Sequence, residues 1–469
     1  MAPEGLPVER LREFLRDLKP AARALLIAEL ERGMLRGDEM PGTDIVLQEL
    51  RRTLRDVEQP PPRVGNPERL FFKSIEPFIV DDEATHRHRG RIARIALAPI
   101  WSWICRDLMP EESKTFSDDV AHALLANDNA RAEQVTRSFQ DQVVGNMQDA
   151  LDAVAADDKA KRRLSGQIGT PRALEIVNEI AGILKARDAL TTIGARMPRH
   201  VNALTDPFIE PIKILLDALH GRNPDWLLYG LLLVMSRLAA PWQLVRFATR
   251  AADSDKAAKI ALNPYAMAVT VVLDEVERLV GELRADLKSG PGVVVIAVLK
   301  DIHDAARGLR TELDLSPESA WGRQLAAIRS EISDMLKSEI ESMPGRVRRL
   351  LRPRPTKEIV PGSALDAGDV AETEALIGFV GACRKYAGEL AINEMTQRTF
   401  SELQQYLETS TQALIDGVRT AEEGDRRFRQ SQVDAAVRFC NKVFGQDYAA
   451  MLAKAAEVAA HAERKAAKA

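Results

Sequence analysis

The chain has 469 residues, 65 basic and 69 acidic, with 45 % apolar and only 5 % aromatic content. That is two or three domains' worth of polypeptide with room for buried cores, and a charged share of 29 % excludes wholesale disorder. A net charge of -4 leaves no global positive field to recruit nucleic acid.

The first ten residues, Met1 to Arg10, hold no basic stretch followed by an apolar one, so no secretory signal is expected. Helices near 7–18, 20–36 and 43–57 make an N-terminal helical segment, 1–58. It ends at Gln59-Pro60-Pro61-Pro62-Arg63-Val64-Gly65, a stiff polyproline-type linker.

A main multi-helical domain, 67–343, follows. Its helices are expected near 67–79, 87–108 (bent at Pro99), 111–126, 129–163, 171–195 and 207–220, then near 224–239, 241–252, 264–288, 292–313 and 317–343. Six starts carry a capping residue directly before proline: Asn66, Thr170, Asp206, Asn223, Asn263 and Ser316. The cap accepts an orphan amide of the first turn, and the proline has no amide to lose and already holds a helical φ. Trp101 and Trp103, with Ile100, Ile104 and Leu108, are expected to fill a core. The most apolar window, Trp226 to Met235, is about half of what a bilayer span needs and reads as a buried helix. Val293 to Leu299 looks strand-like, but a lone strand cannot satisfy its edges, so it is read as the start of a helix running through Asp301, Ile302 and His303. From Leu325 through Ile328, Ile332 and Met335 the apolar positions advance by three and four, a single helical stripe.

The segment 344–368, rich in proline and poor in periodicity, is expected to be a flexible linker and the boundary of a two-part molecule. Beyond it, 369–463 reads as a long antiparallel helical hairpin with arms 369–421 and 425–463. The first arm carries Leu376, Val380, Cys383, Ala387 and Leu390, then resumes out of phase at Phe400, Leu403, Leu407 and Leu414. Asn393, Glu394 and Gln397 interrupt the seam, and Glu422 to Asp425 supply the turn. The second arm offers the stripe Val433, Val437, Cys440, Phe444, Tyr448, Met451, Ala455 and Val458. The fold class expected is all-α, multi-helical and elongated or two-part, with no repeat of solenoid length.

Chemistry is sparse. Asp81 to Arg91 joins the paired aspartates Asp81 and Asp82 to His86 and His88, but the interleaved arginines work against a bound cation. Asp119/His122 and Asp217/His220 each share a helix face, without the matching glutamates of a di-iron bundle. The pairs Asp81-Asp82, Asp118-Asp119 and Asp157-Asp158 lack a third aspartate for magnesium-diphosphate binding, and no phosphate loop, dinucleotide fingerprint or hydrolase elbow occurs. No metal and no cofactor are expected. The one acid-free basic run, Arg346, Arg348, Arg349, Arg352, Arg354 and Lys357, is the candidate anion- or partner-binding site. Leu350 and Leu351 within it are of a kind that dips into a lipid interface. Three scattered cysteines, Cys105, Cys383 and Cys440, point to a reducing cytoplasm, and the excess of arginine over lysine with abundant alanine points to a bacterial source. The function expected is a soluble cytoplasmic interaction or scaffold protein, pairing with a protein partner or itself through helical seams. The alternatives are weak peripheral attachment to anionic lipid or nucleic acid through 346–357, and an enzyme whose site is assembled from scattered residues.

Overall fold

The computed structural model describes residues 66–81, 89–288 and 293–466, together with positions 15, 18, 22, 23, 26, 27, 30, 43, 46, 47 and 50. Among the described residues from 67 onward there are seventeen α-helices, and the one sheet among them is a pair of two-residue parallel strands. The all-α expectation is met. The chain divides into two compact units, one of residues 1–197 with 215–233, the other of 198–214 with 234–469. The segment 344–368, expected as the boundary, lies inside the second unit.

In the first unit, the described positions of the N-terminal segment gather Leu15, Ile27, Leu47 and Leu50 into one buried cluster, as periodic apolar residues require. The polyproline stretch 59–65 lies outside the described residues. Helix α1 (Pro67–Phe72) starts as expected: the Asn66 side chain accepts the Arg69 amide at 2.7 Å. Strands β1 (Ile79–Val80) and β2 (Ile92–Ala93) pair Ile79 with Ile92. Helix α2 (Leu97–Trp103) runs into one π-turn, Ile104–Leu108, and is followed by α3 (Pro110–Leu125) and α4 (Asn129–Ala156). Phe71, Trp101, Phe116 and Phe139 meet in one aromatic cluster, with Phe116 stacked on Phe139 at 4.3 Å, and Trp103 is buried. The single helix expected over 129–163 is two. Asp157 turns extended (φ -149) and its carboxylate accepts the Lys159 amide, capping α5 (Asp158–Ile168). Helix α6 (Ala173–Ala195) completes the unit's longer elements.

The cuts between units fall inside α7 (Asp206–Arg222) and α8 (Trp226–Met235). The second unit continues with a 3₁₀ turn (Pro241–Val245), α9 (Arg246–Ala252), α10 (Ala257–Ile260), α11 (Ala266–Leu287) and α12 (Val293–Glu312). The strand-like run opens α12, as expected. The capping residues Asn223 and Asn263 close local turns, accepting the amides of Asp225 and Tyr265. Ser319 rather than Ser316 caps the next helix, accepting the Gly322 amide at 2.9 Å.

That helix, α13, spans Ala320–Leu351 and so continues eight residues beyond the expected end, with Pro344 inside it. An internal proline removes one helical hydrogen bond. The apolar stripe continues regardless through Ile340, Met343, Val347, Leu350 and Leu351, all buried, and that burial outweighs the lost bond. The Gln432 amide then donates to the carbonyls of Leu350 and Arg352, which the end of the helix leaves unpaired. Downstream, Ile359 is buried, and the Thr356 hydroxyl donates to Asp425 at 3.0 Å. The first third of the expected linker is therefore helix, and the rest is tied to the start of α16 (Arg426–Phe444) through Thr356 and Leu365.

Each arm of the expected hairpin is itself two helices. The first breaks at Ala391, which takes a left-handed conformation (φ 58), into α14 (Ala367–Leu390) and α15 (Asn393–Arg419), which pack on each other. The break frees the seam of its polar interruption, because Asn393, Glu394 and Gln397 now face outward. The second breaks at Gly445 (φ 93), where a side chain would be strained, into α16 and α17 (Gln446–Ala466). After that break the buried face of α17 becomes Ala449, Leu452, Ala456 and Ala459. Met451 and Val458, expected in the stripe, stand 66 % and 63 % exposed. Leu403 and Leu407 are fully buried, where α15 packs on α13, α16 and α17.

Candidate functional site

The basic run that stood out in the sequence is dispersed by the fold. Arg348 pairs with Glu402 at 2.5 Å and lies over the Tyr406 ring; Arg346 and Arg349 approach Glu372 and Asp369 at 3.9 and 3.8 Å. The Arg354 guanidinium lies over the Phe428 ring. Leu350 and Leu351 are buried and do not reach an interface. Only Arg352 and Lys357 remain without a side-chain partner among the described residues. The helix alternates these cations with buried leucines, so they fan around it rather than converge.

Of the other polar constellations, His86 and His88 lie outside the described residues. Asp119 and His122 stand exposed on α3. Among the described residues no group of three or more histidine, cysteine or carboxylate side chains is placed to hold a metal ion. No described helix is long and apolar enough to cross a membrane.

What the fold does build is a cleft of about 720 Å³ in the second unit, between α11, α12 and the 3₁₀ turn. The turn is set first. Gln243 is buried and bridges two backbone groups, accepting the Leu204 amide at 2.6 Å and donating to the Asn202 carbonyl at 3.1 Å. Arg246 donates to the Leu204 carbonyl and to Glu312 of α12 at 2.6 Å, and its guanidinium lies 5.6 Å from the Trp242 ring centre. These bonds fix the half-buried Trp242 as one wall. The opposite surface of that contact is Gly308 of α12: a methyl group there would sit 2.2 Å from Trp242 Cδ2. Only glycine lets the indole lie this close to the helix backbone. Val272, Val276 and Leu279, recurring at helical spacing on α11, add the apolar floor.

The charged rim divides into satisfied and unsatisfied groups. Arg278 sits between Glu275 and Glu282 at 3.0 Å each, with its own side chain 15 % exposed. Lys300 pairs with Asp304 at 3.1 Å, and His303 Nδ1 lies 3.0 Å from the same carboxylate. For Asp304, burial acts to raise the pKa, but the hydrogen bonds and charges of His303 and Lys300 outweigh it and hold the group low. Asp301, one turn away, goes the opposite way: burial pushes its carboxyl up, Lys300 opposes that, and Asp304 adds to it. The side chains of Asp301 and Arg307 make no hydrogen bond or ion pair among the described residues, yet both line the cleft.

None of these cleft residues was singled out from the sequence as a site. The available signals were local: Glu275, Arg278 and Glu282 at spacings of three and four, Lys300 and Asp304 at four, and a glycine within an otherwise helical stretch. Each has a solvated-helix explanation, and only folding brings them to one wall. A comparison of the chain with protein families, curated proteins and solved structures finds no match.

Proposed function

We propose that this chain is a helical interaction protein that acts by recognition, and that the Trp242 cleft is where it takes its ligand. The observation that carries the reading is the seating of Trp242 on Gly308: an aromatic wall held by Gln243 and Arg246, facing an apolar floor, with most rim charges already neutralised in pairs. A volume of about 720 Å³ lies within the range of small-ligand sites. The leucine seam that first suggested a partner is closed by the chain's own helices, so recognition is assigned to the cleft instead. A bacterial cytoplasm is the compartment we assign, supported by three cysteines that form no disulfide.

The test uses anilinonaphthalene sulfonate, a dye whose emission rises in apolar sites. Ala239 is exposed and lines the cleft, so Ala239→Trp fills it without touching the core. The full chain is expected to bind the dye saturably at one site, and Ala239→Trp to abolish that binding with its helical circular dichroism unchanged. Undiminished dye binding by a folded Ala239→Trp protein would refute the assignment.

A second reading, an enzyme, is favoured by one observation: Asp301 is pushed up and Asp304 held down on the same helix face, the kind of split that separates an acid from a base. It predicts chemical turnover of a bound ligand, which mass spectrometry of the recovered ligand detects.

A further inference from the structure

We propose that the outer face of α17 is a weak self-association surface, on which a second copy of this chain docks with its own α17 antiparallel. No cleft residue takes part. The helix is apolar on two faces. Ala449, Leu452, Ala456 and Ala459 are buried against the chain's own helices, while Met451, Ala455 and Val458 are exposed, Met451 and Val458 by 66 % and 63 %. Tyr448 continues the outer stripe half-buried, its ring 4.6 Å from that of Phe444. A surface helix needs one apolar face for its own core; a second one calls for a second neighbour. From Tyr448 through Met451 and Ala455 to Val458 the stripe advances by three, four and three, the repeat with which one helix seats along another.

The flanking charges say which neighbour. Asp447 and Lys454 lie one heptad apart on the same side of α17 and border the stripe on the edge away from Leu452. Both are exposed, and neither has a hydrogen bond or ion pair among the described residues. An axial rise of about 10 Å keeps them from meeting each other within one helix. Two antiparallel copies with Tyr448 facing Met451 of the second copy bring Asp447 opposite Lys454 of the second copy, and two-fold symmetry repeats both contacts. The same register sets Ala455 toward Phe444 of the second copy, small against large. A parallel pair offers no such match: across from Asp447 and Lys454 it places Leu452 and Ala459, which each chain buries in itself. A stripe of five side chains is smaller than the roughly 800 Å² per partner of a stable complex. The pair is therefore weak, populated at high micromolar concentration and dissociated at the low micromolar concentrations of thermal unfolding, where it leaves Tm unlinked to concentration.

Sedimentation equilibrium of the full chain at up to about 0.5 mM, where pairs this small are populated, is the test. A reversible monomer–dimer equilibrium is expected. Met451→Glu should abolish it with helical circular dichroism unchanged, since the side chain is exposed. Lys454→Asp turns two attractions into two like-charge contacts and should weaken the dimer about fivefold or more. Adding Asp447→Lys to Lys454→Asp restores opposite charges across the pair and should return the dimer to within about twofold of the native chain. A chain that stays monomeric throughout overturns the proposal; if phosphatidylcholine vesicles then retain the native chain but not Met451→Glu, the stripe belongs to lipid. Dimers undiminished by Met451→Glu form elsewhere and overturn it as well. A double swap that dimerises no better than Lys454→Asp alone overturns the antiparallel register.

Discussion

Two glycines on neighbouring helices give a sharp test of how the cleft is built. Gly308 in α12 and Gly281 in α11 both sit in helix interiors, where alanine is favoured over glycine by about 1 kcal/mol. Nothing lies within 4 Å of a methyl group placed at Gly281, so Gly281→Ala should stabilise the protein by about that amount. A methyl at Gly308 meets Trp242 Cδ2, Cγ and Cε3 at 2.2, 2.5 and 2.6 Å. Carbon atoms pack at about 3.5–4.0 Å, so the indole must move by more than an ångström. It is not free to do so, because Gln243 and Arg246 pin the turn that carries it. Overpacking of this kind costs about 1–3 kcal/mol, which exceeds the helix gain. Gly308→Ala should therefore lower Tm while Gly281→Ala raises it, with about 2–4 °C for each kcal/mol in a unit of this size. Thermal unfolding followed by far-ultraviolet circular dichroism measures both. A rise in Tm for Gly308→Ala matching that of Gly281→Ala would show that Trp242 does not rest on α12, and the cleft would lose its wall.

Leu407 is fully buried, so Leu407→Ala should cost about 2–5 kcal/mol; Tm should not vary with protein concentration, since a seam shared between chains would make it do so. Burial pushes the Cys383 and Cys440 thiols up to about 12, so a thiol reagent at mildly alkaline pH should modify the half-buried Cys105 first and all three only in denaturant; rapid reaction of all three in the native chain would refute their burial. For Asp425, burial acts to raise the pKa, but hydrogen bonds from Arg429 and Thr356 outweigh it and hold it low. A depressed carboxyl stabilises the fold above its unfolded value, about 3.9, and loses that contribution as pH falls through the folded value, so the Tm gap between the native chain and Asp425→Asn should narrow as pH falls below about 4; a gap that stays constant or widens there would refute the linkage.

Helix content was legible from the sequence because it is written locally. Periodic apolar positions such as Leu325, Ile328 and Ile332 become a buried stripe whichever neighbour covers them. Cap residues report the same kind of local fact, as Asn66 shows. What was not legible is decided by distant partners. Pro344 reads as a helix stop, but the cost of one hydrogen bond is small beside the burial of Val347, Leu350 and Leu351, and that burial depends on helices far along the chain. Gln432 lies about eighty residues from the carbonyls it satisfies. Conversely, the stripe from Val433 to Val458 reads as continuous because period alone cannot register the turn at Gly445; a positive φ there re-aims everything downstream.

The site was hidden for a stronger reason. Sequence reading favours residues that are dense and alike, and the run from Arg346 to Lys357 is both. Yet like charges on successive helical positions point in different directions, and three of the six lie near acids on neighbouring helices, as Arg348 finds Glu402. The cleft has the opposite grammar. Its wall is one tryptophan, its support one glycine sixty-six positions later, and its two unpaired charges are separated by six residues on a helix whose other charges are matched. Asp301 takes its character from its neighbours: Lys300, held by Asp304 at 3.1 Å, opposes the upward push of burial on the Asp301 carboxyl, and Asp304 adds to it. Such a residue is defined by the pairings made around it. No spacing rule along a chain can state those pairings, because they exist only once every partner has been chosen.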